Sequence, residues 1–173
     1  MARALIADTS HYSGMISPHR LRGFSMVIAK GGGNENAAGI SPYDAQFAQT
    51  VEAAYQVQHE DGSRGIPCGM YWFLAPRVWI ERGVTPVSEH LARIRNEDHL
   101  VLKQIEHQLR AGNSGWKAVS SIWFDIEEAS LWLAPGLGRV SSVHLRAMLE
   151  DLSGRISALG AAGHWPKYQL GVY

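Results

Sequence analysis

Residues 120–130 read SSIWFDIEEAS, and this stretch gives the clearest indication of the fold. Its first part is apolar and aromatic, and a short run of this kind predicts a buried β-strand. The run then meets Asp125, Glu127 and Glu128. Acidic residues at a strand end often serve only to solvate it, so a functional interpretation needs partners elsewhere in the chain.

Four further stretches have the same apolar character. They are ALIADTS (4–10), FSMVIAK (24–30), CGMYWFL (68–74) and YQLGVY (168–173). The segments between them are long enough to hold crossover connections. Strands that alternate with helices predict an α/β fold with parallel strands and right-handed crossovers, and the length favours one domain over residues 1–173. An open doubly wound sheet and a β/α barrel both satisfy this order.

Three of the connecting segments have the periodicity of amphipathic helices. They cover residues 44–60, 88–112 and 140–160. The first is the clearest, and its spacing places Phe47 and Tyr55 on the buried face. In the third, Val143 falls on the apolar face, and Gly154 argues against an uninterrupted helix.

Composition limits the classes of partner. The chain of 173 residues is 46% hydrophobic, so it can bury a substantial core. Sixteen Lys and Arg residues balance sixteen Asp and Glu residues, and this neutrality argues against nucleic acid and anionic membranes as partners. The first residues hold too short an apolar run for a signal peptide or a membrane span, so we expect a water-soluble protein made in the cytoplasm.

The lone cysteine, the histidines and the glycine run give little support for other kinds of functional site. Cys68 is the only cysteine and lies in an apolar run, which indicates a small buried thiol and excludes an internal disulfide. The eight histidines contain no H-E-x-x-H motif, so the sequence predicts no zinc site. The run KGGGN (30–34) lacks the G-K-[ST] of a phosphate cradle and is interpreted as a flexible turn.

Polar and aromatic side chains occur at the carboxyl ends of the predicted strands, where both β/α architectures place their chemistry. These ends hold Asp8, Lys30, Tyr71 with Trp72 and Phe73, Asp125 with Glu127, and Tyr173. Because neighbouring residues of a strand point to opposite faces, only one of Tyr71 and Trp72 can line the pocket fully, while the other packs toward a helix.

Asp125 and Glu127 are two positions apart, so their side chains share one face of the strand, about 7 Å from each other. Mutual repulsion, together with desolvation by Trp72, Trp123 and Phe124, favours a protonated carboxylic acid beside an ionised carboxylate. Such a pair is suited to cleaving a glycosidic bond. Glu128 points to the opposite face of the strand and is interpreted as a solvated or helix-facing acid.

Five stretches together carry a resemblance to a known family. They are DTSHYSG (8–14), GFSMVIAK (23–30), DAQFAQTVEAA (44–54), GIPCGMYWF (65–73) and FDIE (124–127). In this order they resemble the family 25 glycoside hydrolases, lysozymes of the muramidase type found in phages, bacteria and fungi. The resemblance implies a β/α barrel of the TIM type that cleaves the β-1,4 bond between N-acetylmuramic acid and N-acetylglucosamine in peptidoglycan, without a metal or organic cofactor.

The same resemblance implies roles for individual residues. Glu127 would be the general acid, Asp125 would orient and stabilise the intermediate, and Asp8 would be the third carboxylate of the pocket. The candidates for contacting the substrate are Lys30, Tyr71, Trp72 and Tyr173. Tyr71 matches the family pattern and is expected in the pocket, with Trp72 at its rim. A phage endolysin or virion-associated enzyme of this family would act on the wall after release or as part of a virion.

The chain also departs from the family pattern. Gly31–Gly33 and Asn34 follow the lysine where the family usually has a threonine and an acid, and Trp72 stands where histidine is common. These changes favour a second hypothesis, a phage tail or virion component that keeps the fold as a wall-binding module. The predicted strands are too few to close a barrel, so we expect further strands from a C-terminal extension or an additional chain.

Overall fold

A computed structural model of the protein describes residues 5–10, 13–33, 41–75, 101–111, 118–132 and 138–172. It contains a sheet of five parallel strands in the order β1-β2-β3-β4-β5. The strands are β1 (Ile6–Thr9), β2 (Met26–Gly33), β3 (Cys68–Phe73), β4 (Val119–Asp125) and β5 (Gln169–Val172). The predicted α/β class and parallel strands are confirmed. Because β1 and β5 stand at opposite ends of the described strand order, a closed barrel stays a prediction.

The helices follow the predicted segments with different bounds. A 3-10 turn (Pro18–Leu21), α1 (Phe47–Tyr55), α2 (residues 101–111), α3 (Glu128–Leu131) and α4 (Ser142–Ala161) are described. The predicted segment 88–112 is helical over 101–111, and residues 88–100 lie outside the described part of the chain. None of the helices seen in the described ranges combines the length and apolar character that crossing a membrane requires.

Two expectations about helix faces are wrong. Tyr55 lies on the exposed side of α1, and the Val143 side chain is 71% exposed near the start of α4. The buried face of α4 consists of Met148, Leu152, Ile156 and Gly160. The helix runs through Gly154 without interruption, because a helix whose apolar stripe is packed tolerates one glycine.

The two faces of the sheet have different partners. One face packs against α1, α2 and α4, and its side chains belong to the main core: Val27, Ala29, Met70, Trp72, Ile122 and Phe124. Side chains at the alternating positions lie outside that core cluster although several are buried, among them Ile28, Tyr71, Phe73 and Asp125. Strand alternation therefore divides the sheet into a core face and a second face that carries the polar candidates.

The glycine run after Lys30 is strand rather than turn. Gly31–Gly33 are buried and extend β2, with a register shift against β3 between Lys30 and Gly32. The Gly33 amide donates to the Pro42 carbonyl at 2.8 Å, and the Gly31 carbonyl accepts from the Asp44 amide at 3.0 Å. The interpretation as a flexible turn is wrong because these backbone groups are paired on both sides.

Gly32 should not tolerate a side chain. A Cβ atom there would lie 2.8 Å from Cη2 of the buried Trp72 ring and would also meet the Pro42 carbonyl oxygen. We expect Gly32→Ala to lower the free energy of unfolding by about 1–3 kcal/mol, since neither neighbour can move without disturbing the core. Denaturant unfolding measures this change.

Gly154→Ala is the matched control, because a Cβ atom at this helical position meets nothing within 4 Å. It should raise the free energy of unfolding by about 0.5–1 kcal/mol, since alanine has the higher helix propensity. Equal stability of Gly32→Ala and the unsubstituted protein would contradict the packing described for the end of β2.

Candidate active site

The second face of the sheet brings three of the predicted site residues into neighbouring positions. Lys30 pairs in register with Tyr71, and Tyr71 pairs with Trp123. Two residues further along the same strands, Phe73 pairs with Asp125. The Lys30 ammonium lies 5.4 Å from the centre of the Phe73 ring. A cation, a phenol and a carboxylate therefore lie near the carboxyl ends of β2, β3 and β4.

Asp125 is the last residue of β4 and is only 8% exposed. Its carbonyl accepts a hydrogen bond from the Leu74 amide at 2.8 Å, which fixes the strand end beside β3. The ring of Phe73 occupies the neighbouring register position. A carboxylate in such a setting is held in one place and is partly removed from water.

Glu127 is two residues beyond Asp125 and is exposed. Between the two acids, Ile126 packs against the main core, so Asp125 and Glu127 flank a residue that is turned inward. Glu127 has extended backbone angles and precedes α3, but its side chain does not cap that helix. One acid is thus buried and the other faces solvent, while their pairing in catalysis stays a prediction.

Asp8 occupies a different part of the sheet. It is exposed on β1 and pairs in register with Ile28, two residues before Lys30. Because β2 and β3 separate β1 from β4, the strands that carry Asp8 and Asp125 are roughly 14 Å apart in a flat sheet. The register places Asp8 level with Ser121, so Asp125 lies four residues, or roughly 13 Å, further along the strands, and the two acids are roughly 19 Å apart. The membership of Asp8 in the same pocket depends on curvature of the sheet and stays a prediction. Tyr173 lies outside the described residues.

Trp72 does not lie at the rim of a cleft. Its side chain is 0% exposed and belongs to the core cluster, with the Tyr43 ring edge-on at 6.5 Å between centroids. Alternation along β3 places it on the core face with Met70, while Tyr71 lies on the second face. The prediction that Tyr71 and Trp72 lie on opposite faces is confirmed, and the predicted rim position of Trp72 is wrong because its ring is buried in the core.

Phe73 and Trp123 lie on the second face, although the sequence did not lead us to expect them as substrate contacts. The Trp123 indole donates from Nε1 to Ser121 Oγ at 2.9 Å, and its ring lies against Gly171, where an added Cβ atom would be 3.0 Å from Cδ2. Both residues are two positions from a selected one, so strand alternation was the signal that identifies them. Of the aromatic residues expected to desolvate Asp125, Trp123 shares its face, whereas Trp72 and Phe124 belong to the core.

Two cavities in the described part of the chain lie away from these residues. These cavities, with volumes of about 470 and 480 Å³, border α1 and the Pro18 turn and have Pro18 and Gln56 in common. No residue from a strand end lines either of them. Within the described ranges, no three His, Cys, Asp or Glu side chains are grouped closely enough to hold a metal ion.

The thiol of Cys68 is not a catalytic nucleophile. It is buried at the start of β3, and desolvation raises its pKa to about 12. An unfolded thiol ionises near pH ~8.5, so the unfolded state loses this proton first as the pH rises. Stability contributed by the neutral buried thiol is therefore complete below that pH and is lost between there and about pH 12.

We expect Cys68 in the native protein to resist a thiol-specific disulfide reagent at pH 8, because its buried neutral form is a poor nucleophile. The same reagent should modify one thiol per chain in denaturant, since the sequence contains one cysteine. The absorbance of the released thiolate measures both reactions. Rapid modification of the native protein would contradict the buried placement.

Comparison with known proteins gives a likeness of fold. No protein-family model matches the chain, and no curated protein matches it. Two solved structures of the modular autolysin LytC from Streptococcus pneumoniae do match. The complex with a synthetic peptidoglycan ligand has a TM-score of 0.51 at 15% identity, and the other structure has 0.52 at 14%. Each alignment covers 97% of this chain and 32% of the LytC chain, so this chain spans about a third of that protein's length.

Proposed function

We propose that this chain is a peptidoglycan hydrolase that cleaves the β-1,4 bond between N-acetylmuramic acid and N-acetylglucosamine. The observation that carries the proposal is the pair of acids at the end of β4. Asp125 is buried, Glu127 is exposed, and Ile126 between them packs into the core. The fold likeness to LytC, an autolysin solved with a synthetic peptidoglycan ligand, supports a substrate in the cell wall.

Glu127 suits the role of general acid. Its exposed carboxyl group can reach the oxygen of the bond to be cleaved and donate a proton to it as the bond to the sugar C1 breaks. The departing sugar keeps this proton as a hydroxyl group. A water molecule then adds its oxygen to C1 and returns a proton to Glu127, so the enzyme is restored.

Asp125 suits the stabilisation of positive charge on the sugar. As C1 loses its bonding electrons, a fixed carboxylate in a partly desolvated position lowers the energy of the cationic transition state. Two routes are compatible with this role. Asp125 can bond to C1 as a nucleophile, or it can orient the N-acetyl group of the substrate, which then bonds to C1 through its oxygen.

The other candidates serve in binding. Lys30 and Tyr71 occupy neighbouring register positions beside the acids and offer an ammonium group and a hydroxyl group to sugar oxygens. Phe73 and Trp123 supply the apolar surface between them, which is typical of a pocket that holds a largely neutral ligand. Asp8 and Tyr173 stay candidates for the outer part of this pocket.

The test combines lysis with analysis of the bonds broken. Purified walls are incubated with the protein, new reducing ends are reduced with borohydride, and the sugars are identified after hydrolysis. The proposal expects loss of turbidity together with reduced muramic acid. Reduced glucosamine instead would assign a different glycosidic bond, and free amino groups without reducing ends would assign a peptide or amide bond. Wall binding without any cleavage would favour the wall-binding module.

A further inference from the structure

Two described segments that follow the proposed general acid pair with each other. The Leu131 carbonyl accepts from the Val140 amide at 2.8 Å, and Trp132 forms an antiparallel bridge with Arg139. Leu131 and Val140 are both buried, so this pairing is anchored in the protein. Trp132 and Arg139, the bridged residues next to the buried pair, are therefore held at a defined place in the chain after Glu127.

Trp132 is the aromatic member of this bridged pair, and it is exposed to solvent. Its side chain is 52% exposed, and the Arg139 guanidinium carbon lies over its ring at 6.0 Å from the centre. Arg139 is held in turn by Glu128, with 2.6 Å between Nη2 and Oε2. One face of the indole is covered by a cation, and half of the side chain remains accessible.

Exposure of a single aromatic residue is ordinary, and exposure alone carries no argument. Two further observations distinguish Trp132. First, an exposed ion pair such as Glu128–Arg139 contributes little to stability, so its visible effect is to orient the ring. Second, the short helix α3 separates Trp132 from Glu127, and five residues at about 1.5 Å each place the two within roughly 8 Å.

The chemistry of this surface fits an uncharged sugar. The positive charge of Arg139 is balanced by Glu128, which removes much of its attraction for an anionic group. A flat indole face suits the apolar face of a pyranose ring, while the remaining guanidinium N–H groups can donate to an acetamido carbonyl or a hydroxyl. An N-acetylhexosamine ring offers both of these features.

We propose that Trp132, oriented by Arg139 and Glu128, is a stacking platform for the N-acetylhexosamine next to the bond that is cleaved. The inference rests on the proposed function, because the catalytic acids define which bond that is. In this arrangement Trp132 contributes binding and register to the glycan, and Glu127 carries out the proton transfer. Arg139 and Glu128 are positioning residues.

The experiment measures binding separately from cleavage. A tetramer of β-1,4-linked N-acetylglucosamine is titrated calorimetrically into the Glu127→Gln protein, with and without a second substitution. Trp132→Ala should weaken binding by about 10-fold, as is usual when a central aromatic contact is removed. Trp132→Phe should retain most of the affinity because a flat ring remains, and Arg139→Gln should give an intermediate loss.

Tyr55→Ala is the matched control. Tyr55 is an aromatic residue of the same exposure, 52%, and it lines a cavity at α1 that contains no strand-end residue. This substitution should leave the affinity unchanged. Thermal unfolding should show that Trp132→Ala is as stable as its parent, since the side chain it removes is half exposed.

Failure of this inference is distinguishable from failure of the proposed function. Unchanged affinity in Trp132→Ala, or no binding of the tetramer by the Glu127→Gln protein, overturns the stacking platform. Binding that depends on Trp132 in a protein that does not cleave walls upholds the platform and overturns the hydrolase proposal. In an active protein, Trp132→Ala should raise KM for wall fragments more than it lowers kcat.

Discussion

The Glu127→Gln protein is expected to hydrolyse cell walls at least about 100-fold more slowly than the unsubstituted protein, because the amide cannot donate a proton to the glycosidic oxygen. Glu127 is exposed and does not cap α3, so the substitution should leave folding unchanged. Release of reducing ends from purified walls measures the rate. Circular dichroism and thermal unfolding measure the fold.

Two further variants sharpen this result. Asp125→Asn should also reduce the rate strongly, because a neutral amide cannot oppose the charge that develops on the sugar. Glu150→Gln is the control: Glu150 is an exposed acid of α4 paired with Arg146 at 2.7 Å, and its loss should leave lysis unchanged. Lysis at the full rate by Glu127→Gln would end the assignment of the general acid.

The second large effect is on stability. Trp72→Ala should lower the free energy of unfolding by about 3–5 kcal/mol, because it removes a large, fully buried ring from the core. The change should show as a lower midpoint in denaturant unfolding. If the midpoint stays the same and only sugar binding is lost, Trp72 is a contact residue and the core placement is wrong.

Trp72→Phe gives an informative comparison. The Trp72 Nε1 atom is buried without a hydrogen-bond partner among the described residues, so phenylalanine removes an unsatisfied donor as well as some volume. Its cost should therefore be clearly smaller than that of Trp72→Ala. Tyr55→Ala, which removes a half-exposed ring from α1, should change the midpoint little.

The positions of the strands were predictable because the short apolar runs are rich in β-branched and aromatic residues and alternate with segments of helical periodicity. Buried strands are the structures that such runs usually form. The runs around Val27, Met70 and Ile122 each became a central strand of the sheet. Consecutive strands joined by crossovers usually lie side by side, and the observed order β1-β2-β3-β4-β5 follows this tendency.

The faces of residues at the strand ends were harder to predict. Alternation correctly separates Tyr71 from Trp72, but it does not say which face is filled by helices and which by a pocket. That choice depends on where α1 and α2 pack, which is information from distant parts of the chain. A tryptophan beside a tyrosine offers both faces an aromatic ring, so the sequence alone favoured exposure where the structure has burial.

The prediction of a flexible turn at the end of β2 was wrong for a different reason. Three consecutive glycines are typical of turns, and propensity alone gives no cause to extend a strand through them. In the structure their lack of side chains lets Pro42 and the ring of Trp72 approach the backbone closely. Contacts with residues ten and forty positions away therefore decide the local structure, and no window of a few residues contains them.

The division of β3 and β4 into two faces has a consequence for how variation should act on the protein. In a library that substitutes every position, Met70 and Ile122 should affect the amount of folded protein in cells, because they belong to the core. Tyr71 and Trp123 should affect enzymatic output more than abundance, because they lie on the other face. Paired measurements of abundance and lysis would then alternate from residue to residue along each strand, and would trace the outline of the pocket without a bound ligand.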